Sequence, residues 1–478
     1  MAGPEDPDSI APALDHAACY RALQARDPRF DGHFFTAVRT TGIFCRPVCP
    51  ATTPKRANCE FYPSSAAALS AGFRPCLRCR PETAPEFFDG LGTARSLQRA
   101  LRLIDEGALD RGSVAALAGR LGIGDRHLRR LFRLYLGASP HQVAHARRIL
   151  FARHLLSTTS LPVSGIALEA GFRSLRTFQE AFQKCFRCTP RQMRRNRSGH
   201  DPHAIVLHLG FSPPYEWDGV IGFLAPRAIP GVELVTADSY CRTFRLGDHT
   251  GRIEVRRPAA NTLAVRIAAP HPRGLREITR RVAHLFDLHA QPASIAQHLG
   301  DLAITPGLRV PGAWDPFELA VRAILGQQIS VKGATTIAGR ITAAFGTPLQ
   351  PFAGEPSLLF PEPAALAAAD LTSVGLTRAR AATVGRLAEA VLRGEIPFDD
   401  PAHCVRALLA LPGVGDWTAQ YIAMRALREP DAFPSGDLGL RKAVSDGGPL
   451  VSAAGLEALS ARWRPWRAYA AFHLWSTL

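Results

Sequence analysis

Four of the ten cysteines fall in two short-spaced pairs, Cys45-x3-Cys49 and Cys76-x2-Cys79, separated by 26 residues. Four thiolates on two knuckles suit one tetrahedral Zn2+, and on spacing alone the site is structural. The same residues can also do covalent chemistry, because zinc keeps a thiol deprotonated at neutral pH and the thiolate is the nucleophilic form. Cys59 lies between the pairs and reads as a small core residue. Cys185-x2-Cys188 has no second pair nearby and reads as packing.

A second constellation lies near the C-terminus. Residues 403–427, HCVRALLALPGVGDWTAQYIAMRAL, read as an apolar helix, a tight turn and another apolar helix. Such a hairpin presents backbone N–H groups to a DNA phosphate, with Gly413 and Gly415 allowing the close approach. About twenty residues on, DAFPSGDLGLRKAV supplies one carboxylate, Asp437, with Asp431 as its competitor. A third pattern is basic. SVAALAGRLGIGDRHLRRLFRLYLG fits a helix, a Gly-containing turn and a second helix carrying Arg126, Arg129, Arg130 and Arg133. The arrangement returns about fifty residues later with Arg173, Arg176 and Lys184. Second helices of this kind enter a DNA major groove, their basic residues contacting phosphates or base edges.

The elements that must position these residues follow from length and period. A chain of 478 residues, 46% hydrophobic and 21% charged, is ordinary for a globular protein of three or four domains. The first segment, to about 85, is loop-rich. From about 92 to 197 apolar residues recur at helical spacing; from 203 to about 270 the period shortens toward two, as in antiparallel strands; after about 315 the chain is helical again. Residues 1–200 hold 30 Lys+Arg against 16 Asp+Glu, a net +14, whereas residues 201–478 hold 27 against 25, a net +2. A polyanion such as DNA is the simplest partner for the first half, and an arginine-rich composition from a GC-biased genome is the bland alternative. No apolar run approaches a membrane span, and the acidic N-terminus MAGPEDPDSI is unlike a signal peptide. The expected setting is a reducing cytoplasm, at the bacterial nucleoid, with no membrane association.

Three resemblances sharpen the reading. RFDGHFFTAVRTTGIFCRPVCPA followed by FYPSSAAALSAGFRPCLRCRP resembles the N-terminal domain of the Ada family of methyl sensors over about residues 15–85. The resemblance implies that Cys45 accepts a methyl group from a methylphosphotriester in DNA, with Cys49, Cys76 and Cys79 as the remaining zinc ligands. The paired helix-turn-helix units, closing on AFQKCFRCTPRQMRR, resemble the AraC-type DNA-binding domain over about 93–197. LHLGFSPPYEWDGVIGFLAPRAIPGVE, DPFELAVRAILGQQISVKGATTIAGRI and the hairpin resemble the AlkA type of 3-methyladenine DNA glycosylase over about 203–478. That likeness implies Asp437 as catalytic carboxylate, Trp417, Tyr421 and Trp475 as pocket aromatics, and Gln328 as the residue wedged into the helix where the base left. AlkA has leucine at the wedge position.

Together these predict a multidomain α+β protein: a zinc domain (1–88), an all-α double helix-turn-helix domain (89–200), an antiparallel sheet domain with helices (201–290) and an all-α helix-hairpin-helix domain (291–478). Its expected work is to sense methylated DNA, regulate alkylation-response genes and excise alkylated bases. The partners implied are double-stranded DNA carrying alkylated bases and methylphosphotriesters, promoter DNA and RNA polymerase, with the chain acting as a monomer. The competing function is a transcription factor whose C-terminal half only docks on DNA, and its signature, a missing carboxylate or aromatic pocket, is not found. The chemistry is sound. An N3- or N7-alkylated purine is cationic and already a good leaving group, so one carboxylate suffices to stabilise an oxocarbenium-like sugar and position water. Electron-rich rings favour such a base by cation–π attraction. Trp417 stands in the region where bifunctional relatives carry a Schiff-base lysine, so strand cleavage is not expected. The last cysteine is Cys404, which excludes a C-terminal iron–sulfur loop, and no cofactor is expected for base release. Without a PCHR-like motif, repair of O6-methylguanine is not expected.

Overall fold

The computed structural model describes residues 14–84, 93–195, 205–259, 261–269, 273–351, 354–445 and 447–478. Two compact units are formed, Met1–Pro202 with Leu275–Glu277, and His203–Gly274 with Ile278–Leu478. The expected boundaries at 88/89 and 200/201 lie outside the described residues.

In the first unit, the segment read as loop-rich carries a four-stranded sheet. Strands β1 (Phe35–Val38), β2 (Ile43–Cys45), β3 (Cys59–Tyr62) and β4 (Arg74–Pro75) lie in the order β3-β1-β2-β4. Each has four residues or fewer, too short for a period to show in the sequence. The chain reverses between β1 and β2 at Gly42, whose φ of +64° favours glycine. Pairing of β2 with β4 is parallel, Phe44 opposite Pro75, and it continues as Cys76 N donates to Phe44 O at 2.9 Å. This pairing brings the two cysteine knuckles side by side.

The rest of the unit is helical. Helices Val114–Arg120 and Asp125–Leu136 form the first pair, Val163–Glu169 and Leu175–Phe186 the second, and the 19-residue helix Pro140–Thr158 joins them. Their starts are set by side-chain chemistry in three cases. Ser113 and Ser174 accept from the third residue onward, and Ser139 with Gln142 makes a reciprocal capping box ahead of Pro140. Leu128, Leu131, Phe132 and Leu136 are buried along one face of Asp125–Leu136, which leaves the arginines of that helix exposed.

The second unit opens on a five-stranded antiparallel sheet of β5 (Ile205–Gly210), β6 (Glu233–Val235), β7 (Ser239–Leu246), β8 (His249–Ala259) and β9 (Thr262–Ala268), in the order β5-β9-β8-β7-β6. Strict alternation of burial along β9 matches the period of two expected from the sequence. From Pro316 onward the chain is helical, apart from a small antiparallel pair, β10 (Thr347–Pro348) with β11 (Leu358–Leu359).

A buried ionic network ties the sheet to the helix Pro316–Leu325. Arg242 of β7 donates to Glu318 at 2.7 Å, Arg322 reaches Glu318 at 3.1 Å and Glu233 at 3.0 Å, and Tyr240 also donates to Glu233. Charges this deep are tolerated only because each is paired. All six tryptophans lie at Trp217 or beyond, so tryptophan fluorescence reports on this unit alone. Glu318→Ala takes one of two carboxylate partners from Arg242 and Arg322, leaving both to share Glu233, and is expected to lower the unit's stability by about 3 kcal/mol. Urea unfolding followed by tryptophan emission measures this, and a loss under about 1 kcal/mol would show that the network is dispensable.

Candidate functional site

The four-cysteine centre sits where the parallel strands β2 and β4 both end. The sulfurs of Cys45, Cys49, Cys76 and Cys79 lie within 4.8 Å of one another, with Cys49 and Cys76 at 4.0 Å. A tetrahedron of Zn–S bonds has edges of about 3.8 Å, so the four need only draw slightly together to hold zinc. The donor set, four soft thiols and no oxygen or nitrogen ligand, selects zinc over hard cations.

The four sulfurs are not equivalent. Cys79 accepts the Arg46 backbone N–H at 3.3 Å and Cys76 that of Arg78 at 3.4 Å. Among the described residues no backbone N–H is directed at Cys45. Cys45 is also half-buried whereas the other three are buried. A hydrogen bond withdraws charge from a thiolate, so the bonded sulfurs of Cys76 and Cys79 are the less nucleophilic ones.

Two buried arginines brace the centre, and neither was singled out in the sequence. Arg46, next to the candidate nucleophile, pairs with the buried Asp31 and donates to Thr83 at 2.7 Å and to Cys79 O at 3.2 Å. Arg153, on the helix joining the two helix-turn-helix units, pairs with the buried Glu82 and donates to Cys76 O at 3.1 Å. Ser64 further donates to Leu136 O at 2.6 Å, at the end of the first recognition helix. The metal knuckle is thereby fastened to the helical part of its own unit. Nothing in the sequence distinguishes a buried arginine from the many exposed ones.

Arg126, Arg129, Arg130 and Arg133 are exposed on Asp125–Leu136, and Arg129 lies 3.7 Å from Asp125. Arg173 precedes the second recognition helix, Arg176 lies on it paired with Glu180 at 2.9 Å, and both are exposed. Such surface pairs are weak and yield readily to a phosphate. Cys59 is half-buried against Phe34 and Phe61, and Cys185 is shielded so that burial pushes its thiol up to about 12. Both act in packing.

In the second unit, three elements converge on Asp437. Trp417 Nε1, from the hairpin helix Asp416–Arg425, donates to one carboxylate oxygen at 2.9 Å. Trp475 Nε1, from the C-terminal helix Arg467–Trp475, donates to the other at 3.0 Å, and that oxygen also accepts the Leu440 N–H at 2.9 Å. Asp437 therefore caps helix Leu438–Ser445 as well, but the cap uses only one of its oxygens. Asp431, the competitor, is buried and held by Arg464 at 2.7 Å and Arg467 at 2.8 Å, and so serves the core.

Trp417 and Tyr421 stack with ring centroids 5.3 Å apart and planes at 9°, and Tyr421 meets Trp475 edge-on at 6.4 Å. Burial raises the Tyr421 phenol, but the guanidiniums of Arg425 and Arg227 outweigh it and hold the group below its ordinary value. Arg425 donates to the Tyr421 hydroxyl at 2.8 Å. These arginines were not picked out in the sequence, because nothing in the order of residues places them behind the aromatic pair.

The hairpin turn has Gly413 at φ +93°, where a Cβ would lie 2.2 Å from Thr383 Oγ1, so only glycine fits. Gly415 precedes the second helix with open space beside it and no side-chain cap, leaving that helix's first N–H groups for an anion. Gln328 is exposed, at φ +56°, on a loop separate in sequence from the hairpin.

Comparison with known proteins follows this geometry. Residues 18–82 match the metal binding domain of Ada, 117–196 a helix-turn-helix domain, 206–315 the AlkA N-terminal domain, and 321–465 the HhH-GPD superfamily of base excision DNA repair proteins. The chain is 41% identical, over 97% of its length and 97% of the relative's, to a Mycobacterium tuberculosis protein named probable bifunctional transcriptional activator/DNA repair enzyme AlkA. It is 36% identical, over 56% of its length and 96% of the relative's, to DNA-3-methyladenine glycosylase 2 of Escherichia coli (strain K12). Among solved structures, 3-methyladenine DNA-glycosylase from Archaeoglobus fulgidus covers 56% of this chain and 97% of its own with a TM-score of 0.51 at 21% identity, a likeness of fold.

Proposed function

Since the chain belongs to the family of bifunctional transcriptional activator/DNA repair enzymes of the AlkA type, we propose that it senses methylphosphotriesters through Cys45, regulates alkylation-response promoters and excises 3-methyladenine and related alkylated bases. The observation that carries the repair reading is the Asp437 carboxylate held between two indole N–H groups beside a stacked Trp417–Tyr421 pair.

Base release is hydrolysis of an N-glycosidic bond. A flipped, cationic purine leaves readily, and the Asp437 carboxylate faces the positive charge that develops on the sugar and orients the attacking water. Indole N–H groups can only donate, so the two Asp437 oxygens accept from them and the carboxylate is held in one orientation. Trp417, Tyr421 and Trp475 line the base site, with Tyr421 kept in place by Arg425. No lysine takes part, so the product is an abasic site and not a cut strand. The hairpin around Gly413 and Gly415 grips a phosphate and Gln328 enters the stack.

At the other site, Cys45, Cys49, Cys76 and Cys79 would hold Zn2+, which would keep their sulfurs as thiolates. The Cys45 sulfur attacks the methyl carbon of a methylphosphotriester; the S–C bond forms as the C–O bond breaks, and the phosphodiester leaves as an anion. Choice of Cys45 is supported by its being half-buried where the other three cysteines are buried, and by its lack of the N–H bonds that Cys76 and Cys79 receive. Four thiolates around Zn2+ carry −2, and one methylation brings the centre to −1. Less repulsion then meets the phosphates, in a half-chain whose formal charge is +14. Promoter recognition follows from the two recognition helices, with RNA polymerase as the further partner and a monomer as the working form.

Three outcomes are expected. Elemental analysis should find one zinc per chain, and Cys76→Ala with Cys79→Ala should remove it without moving the tryptophan-reported transition of the second unit; retained zinc would exclude this ligand set. Asp437→Asn should slow single-turnover release of 3-methyladenine by about 10²–10³-fold or more while leaving DNA affinity near wild type, because the charge is lost and an amide N–H faces an indole N–H. Excision near the wild-type rate would remove Asp437 from the mechanism. Methylation of Cys45, seen by mass on incubation with methylated DNA, should raise affinity for promoter DNA at low salt and less so as salt rises. Equal affinities of the two forms at low salt would rule out the charge switch.

A further inference from the structure

Resting on the glycosylase reading, we propose that Gln327 is a positioning residue that locks the wedge loop to the phosphate-gripping hairpin, so that both engage duplex DNA as one body. The loop of residues 326–330 links helix Pro316–Leu325 to helix Val331–Phe345 and carries Gln328 at its exposed tip. Gln328 has φ +56°, a left-handed conformation that a glutamine keeps only when its neighbours enforce it.

Gln327 is the neighbour that does so. Its side-chain amide donates to Gly413 O at 3.0 Å, in the hairpin turn, and to Thr418 Oγ1 at 2.9 Å, one residue after the pocket tryptophan Trp417. An amide nitrogen has two hydrogens, and both are engaged. The Gln327 carbonyl in turn accepts from Arg380 at 2.6 Å. Arg386, from the same helix, Arg378–Leu392, donates to Pro412 O at 3.0 Å, and Thr383 donates to that carbonyl at 3.3 Å. One helix thus braces the hairpin and the wedge loop from behind, and one side chain joins them in front. Wedge tip, phosphate grip and base pocket meet at Gln327, which touches neither base nor sugar.

The physical consequence is specific to paired DNA. Extruding a base from a duplex costs unpairing and unstacking, and the cost is least where the base is already unpaired. A wedge that slips relative to the hairpin forfeits the leverage that meets this cost, while the Asp437 chemistry on an extruded base is untouched. Gln327→Leu deletes the amide at similar bulk, and Gln327→Glu keeps the shape but turns a carboxylate toward the Gly413 carbonyl.

Single-turnover release of N7-methylguanine is measured for wild type and both variants, with the lesion paired in a duplex and with the same lesion unpaired in a bulge. Each variant is expected to lose about tenfold or more on the paired lesion and to come within about twofold of wild type on the bulged one. Tryptophan-reported unfolding of each variant runs beside the kinetics, and the isosteric Gln327→Glu decides the matter if Gln327→Leu is poorly folded. Equal losses in both contexts, or no loss in either, would overturn the inference while leaving the glycosylase intact. A wild-type protein that releases no base from either substrate would overturn the glycosylase reading and this inference with it.

Discussion

A carboxylate set among aromatic side chains is held in one orientation by the donors that point at it, and Asp437 takes three: two indole N–H groups and one backbone N–H. The arrangement of the second unit's helical part follows from this requirement. The indoles arrive from two helices far apart in sequence, and the backbone donor comes from the helix that Asp437 itself caps. The packing that brings them together is a single apolar cluster, to which Val414, Ala419, Ile422, Leu440, Ala470 and Leu474 all contribute. Burial of those side chains is what fixes the direction in which one negative charge points.

The four-cysteine centre receives its donors unevenly. At Asp437, donors hold both oxygens of the carboxylate. At the sulfurs, backbone donors reach Cys76 and Cys79, and none among the described residues reaches Cys45. Three thiols are buried in the knuckles and two of them receive backbone N–H groups, whereas Cys45 stands at the end of β2 and is only half-buried. Arg46 immediately follows it, yet its side chain is turned inward to Asp31 and Thr83. The cation nearest in sequence therefore organises the loop and leaves the Cys45 sulfur without a guanidinium partner.

What was legible in the sequence tracks how local each signal is. The cysteine pairs, the Gly413–Gly415 turn, the helical period of the recognition helices and the alternation in β9 are patterns within a few residues, and the structure builds each as expected. The convergence of Asp437 with Trp417, Tyr421 and Trp475 was carried by resemblance, since no period links residues that far apart. The four-stranded sheet of the first unit was missed because β4 has only two residues and β2 only three. Which of the adjacent glutamines 327 and 328 turns inward depends on a φ of +56°, and no side-chain type announces that value. Arg425, Arg227, Arg46 and Arg153 were passed over for a related reason: arginine is common in this chain, and its burial is settled only by partners distant in sequence.

Those buried arginines also decide how the charge of the chain is to be understood. A formal charge of +16 has two explanations, a polyanion partner or a bias in composition, and they differ in where the arginines lie. In the second unit Arg242, Arg309, Arg425 and Arg467 are buried, bonded to carboxylates or to backbone carbonyls. Here composition has been absorbed into the core, and the near balance of +2 over residues 201–478 agrees with that use. The uncapped start of helix Asp416–Arg425 adds oriented backbone N–H groups that suit an anion. In the first unit the arginines of both recognition helices are exposed on the face opposite the buried leucines and phenylalanines. A compositional bias has no reason to sort charge this way, whereas a helix that must meet phosphates does. The exposed arginines of the first unit's recognition helices thus suit phosphate contact, whereas Arg242, Arg309, Arg425 and Arg467 of the second unit are architecture.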